Sequence, residues 1–461
     1  MPVFLWTDIM IWGLFALIVI AIVQILRTPQ KRAQWRSVFQ SKIAMAASIV
    51  LLFYFSVALL DSIHFKVEQD AQYNNKQLIS ALDLSFKHLL SNTERTYSAP
   101  FALNEYSSSV VYQEDGSVAQ VYLPLKNIKQ HNGGEAQVAF DQLWIAFWAF
   151  LISTMLVVAV MMIHLSVHAI NHYHAHKLSK ENASLNIAFS PLPWSIAYLT
   201  FYAITMLFLW LYFSSFDYHV LGTNKVGEDV FYQSLKSIRT GVLIGGLTTV
   251  VMLPLALLLG ISAGYFKGWV DDVIQYLYTT LNSIPGVLLI AAAVLVMQSI
   301  LSNHPEWFGS TEERADLRLL FLILILGVTS WTGLCRLLRA ETLKVSQIEY
   351  VTAAKAFGLS PLKIIARHIY PNLAHLILIA LVLDFSGLVL AEAVLSYVGV
   401  GVDPTMPSWG NMINQARLEM AREPMVWWSL MSAFCFMFVL VLSANLFADR
   451  VQWVLNPKNE K

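Results

Sequence analysis

Glu349-Tyr350-Val351-Thr352-Ala353-Ala354-Lys355-Ala356-Phe357-Gly358-Leu359-Ser360-Pro361-Leu362-Lys363-Ile364-Ile365-Ala366-Arg367-His368-Ile369-Tyr370-Pro371-Asn372 is a partly charged stretch lying between two long apolar runs. Its pattern predicts a helix through the alanine pair, a break at Gly358, a restart with Ser360 as N-cap and Pro361 at the first helical position, and a stop at Pro371. Two short helices meeting at a glycine bend make a hairpin at a bilayer surface. Val351, Ala354, Phe357, Leu362 and Ile365 need a counter-surface, which a partner's groove supplies most simply.

Outward from this hairpin the chain is dominated by apolar runs. Of 461 residues 57% are hydrophobic and only 13% charged, with a mean hydropathy of +0.57; a water-soluble chain carries about 25% charge. The expected fold class is an all-α polytopic membrane protein of about nine transmembrane helices, at roughly 9 to 26, 43 to 60, 142 to 168, 196 to 213, 241 to 264, 273 to 298, 319 to 335, 373 to 395 and 426 to 448. With the C-terminus cytoplasmic, the inner loops hold 17 of the 30 Lys and Arg in about 100 residues, against 13 in about 166 outside. The positive-inside rule therefore puts the N-terminus outside and the C-terminus in the cytoplasm. Arg27, Lys31, Arg32 and Arg36 follow the first span directly, so it reads as an uncleaved anchor. Thirty acids balance thirty bases, which gives no reason to expect a nucleic-acid partner. Cys335 and Cys435 lie in apolar runs, which excludes a disulfide framework.

Two unequal parts follow. Residues 1–195 hold three spans and a polar segment of about 80 residues, 61–141, on the outer side; residues 196–461 hold six spans with short connections, among them the cytoplasmic loop 336–372. Within the outer segment, 108–112 and 118–122 flank Glu114-Asp115-Gly116 and predict a β-hairpin. Leu78, Leu82, Phe86 and Leu89 share one face of a helix expected around 76–90, so the segment reads as a small extracytoplasmic α+β domain.

The stretch 349–372 resembles the EAA loop of ABC-importer permeases, in the form E-Y-V-x-A-A-x-A-x-G-x-S-x-x-x-I-I-x-R-H-I-x-P-N found in the dipeptide, oligopeptide and nickel class. Other blocks carry the same resemblance in order. Leu221-Gly222-Thr223 with Gly227-Glu228-Asp229-Val230 is similar to G-T-D-x-x-G-R-D-V, and 263–271 to A-G-Y-F-G-G-W-V-D. Ala391-Glu392-Ala393, 395–401 and Pro407-Ser408-Trp409-Gly410-Asn411-Met412 are similar to A-E-A-x-L-S-F-L-G-L-G…P-S-W-G-N-M. The likeness spans 219–456. It implies a six-helix type I permease core behind three N-terminal helices, and a bacterial inner-membrane location. It also implies pairing with a second permease subunit, docking on two cytoplasmic ABC ATPase subunits, and loading by an extracytoplasmic substrate-binding protein. Ala353, Ala354 and Gly358 are then expected to form a close-packed bend. Glu349, Lys363, Arg367 and His368, with Pro371 closing the motif, are expected at the ATPase contact. The departures are Thr352 for the family's first EAA glutamate, Glu228 for its arginine, Asn224 for its aspartate and Tyr370 for its leucine.

No G-x-x-x-x-G-K-[ST] occurs, so this chain has no P-loop of its own. It is expected to bind no cofactor and to catalyse nothing, with ATP and Mg²⁺ used by the partner ATPases. Asp384 and Glu392 are the acids inside a predicted span, where an ionised carboxylate costs about 2.5–3.5 kcal/mol. Each reads either as a structural hydrogen bond or, with Trp409, as part of the translocation cavity or outer gate. Asp384 is the candidate to attract a peptide's amino terminus or basic side chain. His164, His168, His172 and His176 recur every fourth residue; they read first as an interfacial stripe beside Lys177 and Lys180, and second as a metal site. Gly241 with Gly245, and Gly260 with Gly264, mark close helix packing.

The functional expectation is a permease subunit of a binding-protein-dependent ABC importer, moving peptides inward through membrane lipid. The alternative is a sensor or scaffold that docks a partner through the outer domain. Only about 27 residues follow the third span before the next, too few for a signalling domain, so residues 1–195 read as a module bracing the permease or its binding protein.

Overall fold

The computed structural model describes residues 2–3, 5–67, 77–112, 118–129, 134–179, 192–308 and 310–455. In chain order the elements are β1 (Pro2–Val3), α1 (Trp6–Arg27), α2 (Pro29–Phe39), α3 (Lys42–Asp61), β2 (His64–Val67), β3 (Gln77–Ser80), α4 (Ala81–Ser85) and α5 (Lys87–Ser91). Next come β4 (Ser109–Tyr112), β5 (Val118–Val121), α6 (Gly134–Ser179), α7 (Trp194–Ser214), α8 (Val230–Phe266), α9 (Trp269–Ser283) and α10 (Gly286–Asn303). The remainder is α11 (Thr311–Val345), α12 (Glu349–Ala356), α13 (Pro361–Ile364), α14 (Tyr370–Tyr397), α15 (Trp409–Glu419) and α16 (Trp428–Leu455). Among the described residues nine helices are long and apolar enough to cross a membrane.

The span expected at 273–298 is two helices. Pro285 has no N–H to donate, and Ile284 before it is held extended at φ −92°, ψ 130°, so α9 ends at Ser283 and α10 starts afresh at Gly286. Of the two, only α10 is both long and apolar enough to count as a candidate span. Pro371 does the opposite of what its sequence position suggests. The helix continues through it, because the turn Ile365–Ile369 widens to π geometry and the Tyr370 N–H reaches back to the Ile365 carbonyl. That wider turn accommodates the missing N–H and the ring's clash with the preceding turn.

In the segment between α3 and α6, the helix expected around 76–90 starts later and is broken. Leu78 is in β3, opposite Lys66 of β2, and Ser80 caps α4 by accepting from the Asp83 N–H at 3.1 Å while Asp83 accepts from the Ser80 N–H at 3.0 Å. Leu82, Phe86 and Leu89 are buried, as one helix face would have them, although a break at Phe86 divides α4 from α5. The hairpin is present: β4 and β5 pair antiparallel from Ser109↔Val121 to Tyr112↔Val118, and its expected turn at Glu114-Asp115-Gly116 lies outside the described residues. β1, β2 and β3 form a three-stranded antiparallel sheet that the sequence reading did not include.

Two compact units interleave along the chain: Met1–Arg32, Tyr54–Phe86 and Gln233–Lys461 form one, Ala33–Phe53 and Lys87–Tyr232 the other. In the first, α14 packs on α15 and α16 and α11 on α1, α9, α10 and α14. The glycine pairs of α8 explain how closely its neighbours approach. A Cβ on Gly241 would come within 2.7 Å of the Trp409 ring, on Gly245 within 2.6 Å of Phe385, on Gly260 within 2.8 Å of the Cys335 carbonyl and on Gly264 within 2.5 Å of Thr342. In the second unit α6 packs along α7, and Leu125, Ile128, Val138 and Tyr218 form a small core.

Candidate functional site

The loop 346–372 is built half into the protein and half out of it. Val351, Ala354, Ile364, Ile369 and Leu373 are buried in one apolar cluster with Met252 and Ala256 of α8 and Trp331, Cys335 and Leu338 of α11. The five apolar residues expected to share a docking face therefore divide. Val351 and Ala354 face the chain's own core and Ile365 packs against it, whereas Phe357 is 86% and Leu362 76% exposed. Between these two lies Gly358 at φ +76°, which L side chains rarely adopt. The α12 terminus is closed by backbone bonds from Phe357 N to Ala353 O at 2.9 Å, Gly358 N to Lys355 O at 3.0 Å and Leu359 N to Ala354 O at 3.2 Å. Ser360 occupies the N-cap position of α13 without a side-chain capping bond.

Of the expected contact residues, Glu349, Ala353, Gly358, Lys363, Arg367 and Pro371 are exposed, His368 is half-buried and Ala354 is buried. Only Ala354 of the expected bend packs closely within the chain; a Cβ on Gly358 would meet open space. A clamp absent from the sequence reading holds the hairpin in register: Asn372 Nδ2 donates to the Tyr350 hydroxyl at 2.8 Å and to the His368 carbonyl at 2.5 Å. The end of α11 is braced by Arg339, which grips Asp271 of α9 with Nε at 2.5 Å and Nη2 at 2.7 Å. That hydrogen bonding holds the Asp271 carboxyl below the usual carboxylate range.

Glu392 and Trp409 are interior. Glu392 is 3% exposed and accepts from the Ser396 hydroxyl at 2.8 Å, with the Ser408 hydroxyl and Gly410 N–H also bonded to it. Trp409 is 1% exposed; its Nε1 donates to the Ser234 carbonyl at 3.1 Å. Thr240 donates to the Pro407 carbonyl at 2.7 Å, so the Pro407–Asn411 block is seamed to α8. The preceding loop is held by Arg318, whose Nη1 donates to Asp403 at 3.1 Å. Burial pushes the Asp403 carboxyl up, but the Thr405 N–H and hydroxyl and Arg318 together hold it below its ordinary range. Asp384 differs: it is half-buried in α14 and makes no hydrogen bond or ion pair among the described residues. One turn further, Gly387 leaves open space beside the helix.

His164 Nδ1 shares a 2.5 Å hydrogen bond with the Tyr198 hydroxyl, and its ring lies 4.1 Å from that of Trp194. The side chains of His168, His172 and His176 fall outside the described residues.

Two further clusters went unread in the sequence. In the first unit, Arg239 Nη2 donates to Asp8 at 2.6 Å and to the Thr7 hydroxyl at 2.8 Å, and Nε donates to the Ser62 hydroxyl at 3.2 Å. Thr7 in turn donates its N–H to Asp316 at 3.1 Å and its hydroxyl to the same carboxylate, and His64 Nδ1 lies 2.8 Å from Asp8. Asp8, Arg239 and Asp316 sit at the same ends of three expected spans, which was the available signal. In the second unit, residues 94–101 bond to the loop 217–229. Ser98 N donates to the Thr223 hydroxyl at 2.7 Å, Thr223 to the Thr96 carbonyl at 2.9 Å, and Glu94 N to the Gly227 carbonyl at 3.0 Å. The two departures in that loop meet each other, Asn224 Nδ2 donating to Glu228 at 2.9 Å.

A profile of the family described as "Binding-protein-dependent transport system inner membrane component" matches residues 256–461. Similar proteins include the glutathione transport system permease protein GsiD of Pectobacterium atrosepticum, 30% identical over 240 residues that cover 52% of this chain and 73% of that protein. The oligopeptide transport system permease protein OppC of Mycobacterium tuberculosis is 29% identical over 239 residues, 52% of this chain and 76% of its own length. The dipeptide transport system permease protein DppC of Bacillus subtilis is 26% identical over 240 residues, 52% and 69%. With the spans, the bent loop and the seamed Pro407–Asn411 block in these positions, the chain belongs to the binding-protein-dependent transport system inner-membrane components and is a multi-pass transmembrane permease of the ABC-importer kind.

Proposed function

We propose that this permease pairs with a second permease to form a pore through which two ABC ATPase subunits drive the uptake of short peptides, delivered by an extracytoplasmic binding protein. Glutathione, oligopeptides and dipeptides are the cargoes in the names of the relatives, and all are peptides. The distribution of Lys and Arg supports a cytoplasmic C-terminus and an outer N-terminus in a bacterial inner membrane, with the loop 346–372 facing the ATPases. ATP and Mg²⁺ act in those partners.

The observation that carries this reading is the pair Phe357 and Leu362, 86% and 76% exposed on either side of a rigid glycine bend. Apolar side chains held out this far are stabilised by a partner's groove. Val351, Ala354 and Ile364 connect the same bend to α8, α11 and α14 through the buried cluster. Movement of the docked ATPases would pass through that cluster to the spans and drive alternating access. Asp384, without a partner among the described residues and beside the open face at Gly387, would line the pore and attract a peptide's cationic group. The Arg239 cluster and the bonds from residues 94–101 to the loop 217–229 support a bracing role for the N-terminal part.

The test is ATP-dependent uptake of labelled peptides by the complete complex in proteoliposomes with its own binding protein. Accumulation of a di- or oligopeptide that requires ATP and the binding protein is expected. A complex that hydrolyses ATP in response to its binding protein yet moves no peptide would overturn the cargo assignment.

A further inference from the structure

Lys267, in the turn between α8 and α9, has φ +56°, a left-handed conformation that side-chain-bearing residues adopt rarely. Backbone held in so sparsely populated a region is a pointer to function. It lines a cavity of about 120 Å³ together with Tyr265, Phe266, Ser346, Val351 and Lys355. No acid is among these six residues, and neither ammonium group has a hydrogen-bond or ion-pair partner among the described residues. The nearby Asp271 is engaged by Arg339. Ser346 donates its hydroxyl to the Leu343 carbonyl at 2.8 Å, so the side-chain donors left among the lining residues are the two ammonium groups and the Tyr265 hydroxyl. Two like charges on residues lining one small cavity repel each other, and an anion between them relieves that repulsion.

The position of the cavity identifies the anion. The spanning helix α8 ends at Phe266, which is 50% exposed, and Trp269, two residues beyond Lys267, is 75% exposed. Large aromatic side chains at a span's end mark the headgroup level of the bilayer. Basic pockets between spanning helices at that level take lipid headgroups. We propose that the cavity binds an anionic phospholipid, its phosphate held between Lys267 and Lys355, so that the lipid ties the loop helix α12 to the end of α8.

The test uses the purified, delipidated full chain and needs neither ATPases nor binding protein, so it stands or falls apart from the transport reading. Melting temperature is measured with short-chain phosphatidylglycerol, with phosphatidylcholine of the same tails, and with inorganic phosphate. Phosphatidylglycerol is expected to raise it more than phosphatidylcholine does, and Lys267→Gln with Lys355→Gln to abolish the difference. Lys267→Gly provides a variant that folds at no backbone cost; it should melt no lower than wild type without lipid and lose at least half of the phosphatidylglycerol-specific shift. Equal shifts from the two lipids, or a specific shift that survives the double substitution, would overturn the site. So would inorganic phosphate reproducing the full shift, which makes it a free-anion site. A double variant that keeps the lipid shift but no longer binds its ATPases would instead assign the lysines to an acidic partner residue.

Discussion

Arg239 of α8 donates to Asp8 of α1 at 2.6 Å, both side chains almost wholly buried, so a helix outside the family-matched region is joined to a core helix by a buried ion pair. Asp316 of α11 stands 4.0 Å from the same guanidinium. Removing one member of a buried pair costs about 3–5 kcal/mol, because the other is left uncompensated. Arg239→Leu, which strips two carboxylates of their cation, is expected to destabilise the protein more than Asp8→Leu, which leaves Arg239 with Asp316. Thermal melts of both variants in detergent check the order; equal losses would mean that Asp316 contributes nothing.

Phe357 and Leu362 contribute almost no packing within this chain, so Phe357→Ser with Leu362→Ser is expected to leave its melting unchanged within about 0.5 kcal/mol. Binding of the ATPase subunits should fall at least tenfold, as read by co-purification and titration. Undiminished binding would place the ATPase contact elsewhere.

Gly358 tests coupling rather than adhesion. Alanine at φ +76° carries a strain of roughly 1–2 kcal/mol, whereas proline, locked near −65°, cannot form the bend at all. Gly358→Pro is expected to uncouple hydrolysis from uptake or to block assembly. Normal substrate-stimulated ATPase activity in that variant would contradict the role given to the bend.

For Asp384→Asn the expected result is selective. Uptake of peptides with a cationic terminus or side chain should drop several-fold while uptake of blocked, neutral peptides stays within twofold. Equal losses for both, or none, would remove the carboxylate from the cargo path.

Asp271 carries a pH dependence of definite sign. Its folded pKa is depressed by the Arg339 hydrogen bond, so its contribution is complete above the unfolded value of about 3.9 and fades as pH falls through the folded one. Wild type should therefore melt above Asp271→Asn at pH 7, with a smaller gap at pH 3. A gap that is constant between those pH values would assign the stabilisation to packing alone.

Composition and periodicity by themselves determined the nine spans, the β-hairpin and the glycine-bent loop, because each is encoded locally: runs of about 20 apolar residues, period-two strands, and a glycine where φ must turn positive. Other features were decided only by tertiary structure. A proline ends α9 at Ser283 yet is carried through a π turn at Pro371, since the outcome depends on whether the neighbouring turn can widen. Val351 and Ala354 turn inward while Phe357 and Leu362 remain outside, because the loop's apolar residues divide between the chain's own core and solvent. Glu392 is satisfied by Ser396 and Ser408, whereas Asp384, eight residues earlier on the same helix, has no partner among the described residues; helical phase and the neighbouring helix separate two carboxylates that composition treats alike. Asp8, Arg239 and Asp316 lie far apart in the sequence, and only the packing of α1, α8 and α11 brings them into one buried cluster.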